Sequence, residues 1–388
     1  EEGETPSEDN LREARQVLES LQLAELDNFF REACLQVNNV ELDDLIDDTT
    51  AIIYPIVLPD RIEIIVSFAK TISRHVTYIT ETELDNTIGT WKSGALDPIS
   101  DIPEPGTEAG SLSNFRQSSQ RLYEWLIAPL ETSLNRAGID TLVFVLDGNL
   151  RNISMSALYD GQHYLVEKYA VALTPGLQLL DPKPIARGKI AAFLAGISEA
   201  QQGFIGLDGV TTELANIKKI VPSNTLLNEQ VTNEALEQGI ATSSAPIVHI
   251  ATHGQFGENS DSTFIVTWGN KLKVDRLSQL LQTSELSRRS ELELLILSAC
   301  KTAAGSNRAV LGLAGVATRS GARSTLATLW PVNDTSTTEL MSEFYRQLLN
   351  ADFNKAKALQ QAQLAVLRNP NTSHPHFWSP FILLGNWL

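Results

Sequence analysis

Apolar residues recur at three- and four-residue steps through residues 11–36 (LREARQVLESLQLAELDNFFREACLQ), with no glycine or proline, which predicts one or two amphipathic helices. The period then shortens. AIIYPIVL and RIEIIVSF are rich in β-branched residues and flank Pro59-Asp60, predicting two strands joined by a tight turn. Residues 93–113 concentrate proline, glycine, serine and acid with no apolar period, so a loop is expected there. A helix over RLYEWLIAPLETSLNRAG leads to strands in TLVFVLDG and YLVEKYAVALTPG. Pro182-Lys183-Pro184 marks a boundary, and a second run opens near Lys189 with the strand KIAAFLAGI. Helices near 212–219 and 233–240 alternate with the strands TLLN and IVHIA. A hairpin around Trp268–Lys271, a helix and the strand LELLILS follow. The tail reads as helix GLAGVATRSG, strand RSTLATLW, two helices over roughly 335–368, and a last strand in FWSPFILLGNW. Strand and helix in alternation predict an α/β fold with a mostly parallel sheet covered on both faces. Three units are expected: a helical segment over 1–50, an α/β unit over 51–185 and a second over 186–388.

Composition narrows the function classes. The chain has 388 residues, 43% of them apolar, enough for real cores. No apolar stretch reaches the length of a membrane span, and EEGETPSEDN lacks the layout of a signal peptide, so a cytoplasmic location is expected. The first residue is glutamate rather than methionine, which reads as a piece of a longer protein. Net charge is −17; of 47 acidic and 30 basic residues, 24 and 7 fall within the first 110. Such an acidic face disfavours nucleic acid and anionic membrane as partners. The two cysteines, Cys34 and Cys300, argue against a disulfide framework and leave Cys300 able to react.

Two apolar runs end in reactive side chains: IVHIATHGQF delivers His253 and LELLILSACKTAAG delivers Cys300. A parallel sheet presents chemistry at the carboxyl ends of its strands. The 47-residue separation is near the roughly 50 residues of caspase-type enzymes. In this reading the Cys300 thiolate attacks a carbonyl and His253 acts as general acid and base. Backbone N–H groups of Gly254 and Cys300 would hold the oxyanion, a donor being worth about 3–4 kcal/mol in such sites. The competing reading treats Cys300 as a small buried hydrophobe. His249, inside the strand, reads as a core histidine. His374 and His376 have no third ligand in view and read as a loop before a strand, and Cys34 reads as helix packing; no metal and no cofactor are expected. Asp334 follows a strand end, where a carboxylate could line a pocket for a basic side chain. It also precedes a helix whose Ser336–Glu339 has capping-box form, and both roles stay open. Glu199 and Asp208 are further substrate-binding candidates on loops, with Glu258 and Asp261 behind them.

The segments LVFVLDGNLRNISMSALYDG, VHIATHG, LLILSACKTAAG, GLAGVATRSGARSTLATLWPVND and HPHFWSPFILLGNW together resemble the CHAT family, whose name joins caspases, HetF and tetratricopeptide repeats. Within it the likeness is to cyanobacterial HetF-like proteins. The resemblance implies a clan CD cysteine peptidase related to separases and caspases, with a caspase-like three-layer sandwich: a pseudo-caspase half over 51–185, then an active half over 186–388. His253 and Cys300 match the family's dyad. Residues 51–185 contain no cysteine, which agrees with a silent first half. The resemblance to separases, whose acidic pocket selects arginine, carries over to Asp334. Partners implied are a protein substrate and either upstream tetratricopeptide repeats or a regulatory protein. VLDGNL departs from the family at a position that often carries a proline before Asp-Gly, remote from the dyad. The alternative within this resemblance is a catalytically silent scaffold or regulated interaction module.

Overall fold

The computed structural model describes residues 6–30, 47–96, 110–180, 183–185, 190–257, 259–287, 292–298, 300–302 and 321–388. The N-terminal helical period becomes α1 (Glu8–Phe30), and residues 31–36 of that expectation lie outside the described residues. Strands β1 (Thr50–Leu58) and β2 (Arg61–Phe68) pair antiparallel with Leu58 opposite Arg61, the hairpin expected at Pro59-Asp60. A third strand, β3 (Thr71–Thr77), follows through a turn at Ala69-Lys70, both at positive φ. The loop expected over 93–113 is helical at both ends, in α2 (Glu81–Leu96) and α3 (Gly110–Leu126), and 97–109 lie outside the described residues. Trp91 of α2 packs on Phe115 of α3 with ring centroids 5.2 Å apart. The helix expected over 121–138 is two: α4 (Glu131–Ala137) starts anew after Pro129, whose ring cannot continue α3. β4 (Thr141–Phe144) follows. The apolar run YLVEKYAVAL, expected as one strand, splits into a helical turn, α5 (Leu165–Lys168), and β5 (Ala170–Leu173).

The second run alternates as the sequence predicts: β6 (Ala192–Gly196), α6 (Gly209–Ile220), β7 (Ser223–Leu227), α7 (Asn233–Thr242), β8 (Ile247–Ala251), β9 (Gly254–Phe256), then the hairpin β10 (Phe264–Thr267) and β11 (Asn270–Lys273). After α8 (Val274–Ser287) come β12 (Leu294–Leu297), β13 (Cys300–Thr302) and β14 (Ser324–Thr328). Then α9 (Asp334–Leu348), α10 (Lys355–Arg368), α11 (Pro375–Trp378) and β15 (Phe381–Gly385) close the chain. Of the helix expected in GLAGVATRSG, residues 312–320 lie outside the described residues.

Eleven strands form one sheet in the order β3-β2-β1-β4-β5-β15-β14-β12-β8-β6-β7. Two parallel blocks, β1-β4-β5-β15 and β14-β12-β8-β6-β7, meet at an antiparallel seam between β15 and β14. Burial on both faces explains why β8 (IVHIA), β12 (LLIL) and β14 (STLAT) are wholly buried instead of alternating. From β6 the chain steps outward to β7, then reverses across β6 to β8. Right-handed crossovers put α6 on one face and α7 and α8 on the other. α6 packs on α9, and α7 on α8, in agreement. The reversal makes the carboxyl ends of β6 and β8 a topological switch point, where open α/β sheets bind their ligands. A second, four-stranded sheet, β11-β10-β9-β13, grows from that edge.

The opposite edge of the sheet holds a cost. Lys355, the first residue of α10, has a fully buried side chain, and its nearest carboxylate oxygen, on Glu293, is 4.0 Å away. Burial pushes its ammonium down to about 7, with Arg323 adding to the effect and Glu293 opposing it. A cation at a helix N-terminus also opposes the helix dipole. The folded chain therefore binds fewer protons than the unfolded chain between pH about 7 and the ordinary lysine value of 10.5, and stability rises with pH across that window. Urea denaturation of the wild type should show its midpoint climbing from pH 7 towards 10. Lys355→Met should be more stable at pH 7 and lose that lysine's share of the climb; identical slopes for the two proteins would show that Lys355 is not the source.

Candidate functional site

Past Ala251 and Leu297 the chain leaves the large sheet and re-pairs in the small one. The last register pair between β8 and β12 is Ile250 with Leu297, and the first between β9 and β13 is Gly254 with Cys300. His253 immediately precedes Gly254, so its backbone and that of Cys300 sit on adjacent strand tips, one residue off direct opposition. Neighbouring strands and the rise along a strand put two such Cα atoms about 6 Å apart. The side chain of Cys300 lies outside the described residues.

His253 is held from three directions. Its carbonyl accepts the N–H of Val266 in β10 at 2.7 Å, while the neighbouring Thr252 hydroxyl donates to the Val266 carbonyl at 3.0 Å. Its ring stacks on Phe204, centroids 5.0 Å apart and planes 26° from parallel. Nε2 lies 2.8 Å from the Ile205 carbonyl oxygen, which can only accept, so Nε2 carries a proton and in the neutral ring Nδ1 is the basic nitrogen. Ile205 belongs to the segment between β6 and α6, on the other side of the switch point. That segment is tied down along its length. Phe204 N–H bonds the Gln201 carbonyl across a turn whose two central residues, Gln202 and Gly203, both have positive φ, as a tight two-residue hairpin turn requires. The Gln201 side chain accepts from Gly269 N–H in the β10–β11 turn, and the Asn228 side chain accepts from Ser198 N–H. Lys271 Nζ stands 4.3 Å from the ring centre of Phe264 and 5.8 Å from that of Phe204, leaving a cation beside the histidine's stacking partner.

The candidate carboxylates have partners. Glu199 accepts from the Asn228 side-chain amide at 3.1 Å, which makes it part of the same loop staple. Asp208 is exposed just ahead of α6 and makes no side-chain cap. Asp261 pairs with Lys273, and Glu258 lies outside the described residues. Asp334 is partly buried at the first position of α9, and its Oδ2 accepts the Gly209 N–H, the first of α6, at 3.2 Å. The helix start itself is capped by Asn333, whose side chain accepts from Thr335 and Ser336 N–H, so the capping box expected from Ser336 and Glu339 is not the one used. Asp334 instead sits between the positive ends of two helices. His374 Nδ1 accepts from His376 N–H and caps α11. Among the described residues no cluster of metal-ligating side chains occurs, and no helix is long and apolar enough to cross a membrane.

Sequence reasoning did not reach Phe204, Ile205 or Asn228. Only the Gln202-Gly203 turn pair offered a local signal there, and a backbone carbonyl that orients a histidine leaves no mark in the side-chain pattern.

The comparisons with known proteins agree with this architecture. A structure of the Saccharomyces cerevisiae separase–securin complex matches with a TM-score of 0.55 and 9% identity over 96% of this chain. The chain spans 31% of the length of that one. At that identity the likeness is one of fold. A second structure of the same complex gives a TM-score of 0.48, and the Porphyromonas gingivalis RgpB pro- and mature domains give 0.43 at 11% identity. A search of curated proteins finds no match.

Gly209 should be the least replaceable residue at this edge. A Cβ there would stand 2.7 Å from Asp334 Cβ and 2.9 Å from its carbonyl oxygen, so Gly209→Ala should force α6 and α9 apart at about 1–3 kcal/mol. Asp334→Asn keeps an acceptor for the Gly209 N–H and should cost less than Asp334→Ala, which loses about 1 kcal/mol. Chemical denaturation of the three variants checks the ranking.

The fold, a mostly parallel caspase-like α/β sandwich similar to that of separase, and the match of residues 116–386 to the CHAT domain lead to one assignment: the chain belongs to the CHAT domain family.

Proposed function

We propose that the chain is a cysteine endopeptidase of the caspase and separase type, with Cys300 as nucleophile and His253 as general acid and base. One observation carries the reading: the Cys300–Gly254 register brings the cysteine's backbone beside a histidine whose tautomer is fixed from outside by the Ile205 carbonyl. The Cys300 thiolate attacks the scissile carbonyl carbon, its sulfur forms the new bond, and the carbonyl electron pair moves onto oxygen. Backbone N–H groups of Gly254 and Cys300 are the donors assigned to that oxyanion. Collapse breaks the C–N bond as the protonated His253 Nδ1 gives its proton to the departing amine. The same nitrogen then removes a proton from water, which attacks the thioester and releases the acid and the thiolate. A resting proton on Nε2, held by a carbonyl acceptor, leaves Nδ1 to shuttle.

The finer reading is cleavage of specific protein partners after a basic residue, with Asp334, Glu199 and Asp208 as candidate recognition groups. Asp334 is the best supported. It follows β14, the strand next to β12, and a carboxylate has about four acceptor positions, of which the Gly209 N–H uses one. The cysteine-free stretch 51–185 serves in this reading as a pseudo-caspase half beside the catalytic unit 186–388, with residues 1–50 as a helical junction. HetF-like kinship, a cytoplasmic location and partners among upstream repeats or regulatory proteins belong to the same proposal.

The test uses fluorogenic peptides with basic, acidic and apolar residues before the cleaved bond, and activated-ketone peptides that label a reactive thiol. The wild type should cleave and Cys300→Ala should lose at least about 10³-fold in kcat/KM. Asp334→Asn should lose most of its preference for basic peptides while keeping its fold. Equal cleavage by wild type and Cys300→Ala removes Cys300 from the chemistry. A wild type that neither cleaves nor labels, even with candidate partners added, assigns the chain to the silent interaction modules.

A further inference from the structure

Four residues before His253, in the middle of β8, His249 is fully buried at the centre of a polar cluster that the chemistry above does not use. Its Nδ1 lies 3.2 Å from the Tyr345 hydroxyl of α9, whose ring stacks on the imidazole with planes 11° from parallel. Its Nε2 lies 3.2 Å from the Ser298 hydroxyl and 2.9 Å from a carboxylate oxygen of Glu213 in α6. That oxygen is within ion-pair distance but makes no hydrogen bond, so the contact is electrostatic and the directed bond goes to Ser298. Burial, reinforced by the Glu213 charge, pushes the Tyr345 phenol well up, so it stays protonated and donates to Nδ1. The ring proton then resides on Nε2 and points at Ser298. Glu213, Tyr345 and Ser298 are all essentially buried, so His249 has no access to substrate and is not itself the catalytic base.

Ser298 is where this cluster touches the site. Its N–H donates to the Ile250 carbonyl at 3.3 Å, one residue past the Leu297–Ile250 register pair and two before Cys300 pairs with Gly254 in the small sheet. An apolar side chain at 249 would fill the same space. What the polar cluster adds is direction: each bond admits one orientation, and buried polar groups without partners are costly. The members come from β8, the turn after β12, α6 and α9.

We infer that His249, oriented by Tyr345 and Glu213, is a positioning residue that clamps Ser298 and thereby fixes the crossover presenting Cys300 beside His253. The inference deepens the peptidase reading and rests on it for its kinetic readout.

Deleting His249 risks the fold, so the test removes single atoms around it. In a Cys34→Ser background, which leaves Cys300 as the chain's one thiol, Ser298→Ala, Tyr345→Phe and the double variant are compared with the parent. Three quantities are read: kcat and KM on a cleaved peptide, the second-order rate of Cys300 alkylation by iodoacetamide, and Tm. Each single variant should lower kcat and the alkylation rate about tenfold, with KM changed less than about twofold. The double variant should be no worse than the worse single one, since both act through one ring. A fall in Tm with both rates unchanged overturns the inference, as do losses that multiply in the double variant. A parent that cleaves no peptide defeats the peptidase reading instead, and the alkylation series still decides the role of His249.

Discussion

The site depends on an unequal pair of spacers. Between leaving the large sheet and joining the small one, the histidine chain runs from Ile250 to Gly254 and the cysteine chain from Leu297 to Cys300, one residue shorter. Two parallel chains cannot stay in register across such a difference unless something takes up the surplus. Here β10 does so, by binding the His253 carbonyl and receiving the Thr252 hydroxyl. The hairpin β10–β11 thus sets the histidine's backbone, while the segment after β6 sets its ring through Phe204 and the Ile205 carbonyl. Backbone and ring are governed by different elements, and the Gln201 bond to Gly269 keeps those two elements together.

Much of this was legible in the sequence where the signal was periodic or chemical. The β1–β2 hairpin, the strand and helix alternation from Ala192 onward, and the abrupt ends of the His253 and Cys300 runs all follow from side-chain patterns. The failures have physical causes. β3 was invisible because its turn places Ala69 and Lys70 at positive φ without the glycine or asparagine that announces such turns. Leu165–Lys168 read as strand because a short apolar run is compatible with either period, and only the fold chose helix. Of the small sheet only the β10–β11 hairpin was legible; β9 and β13 escaped notice since strands of three residues are too short to show alternation. Asn333 went unread as a cap because Ser336 and Glu339 offered a better-looking one three residues on.

The carboxylate of Asp334, proposed above as a recognition group, has a structural role of its own. Its oxygen binds the first N–H of α6 while the residue itself opens α9, so it lies where two helix dipoles present their positive ends. Gly209 makes this possible, because any Cβ there would collide with Asp334. The same helix pair meets again deeper in the molecule, where Glu213 of α6 and Tyr345 of α9 flank His249. The edge where Asp334 sits and the cluster around His249 therefore share the same pair of packed helices.

The seam of the large sheet explains what the first half of the chain contributes without a cysteine of its own. The block β14-β12-β8-β6-β7 would leave β14, buried along its whole length, as an unpaired edge, and an unpaired edge invites association with other chains. β15 covers it, running antiparallel, and β15 in turn needs a partner, which β5 supplies at Leu173–Leu384. From there the sheet continues through β4 and β1 to β2 and ends at β3, where Arg74 pairs with Glu63 of β2 and, with His75, makes the outermost strand polar. At the other end β7 carries Ser223, Asn224 and Thr225 and is only partly buried. Both outer edges are thus strands with charged or polar residues, and β8 and β12, which lead to His253 and Cys300, lie third and fourth from the β7 edge and far inside the β3 edge. Removing β1–β5 would expose the apolar flank of β15, which β14 separates from β12 and β8. Covering that flank requires a pairing strand and no catalytic group.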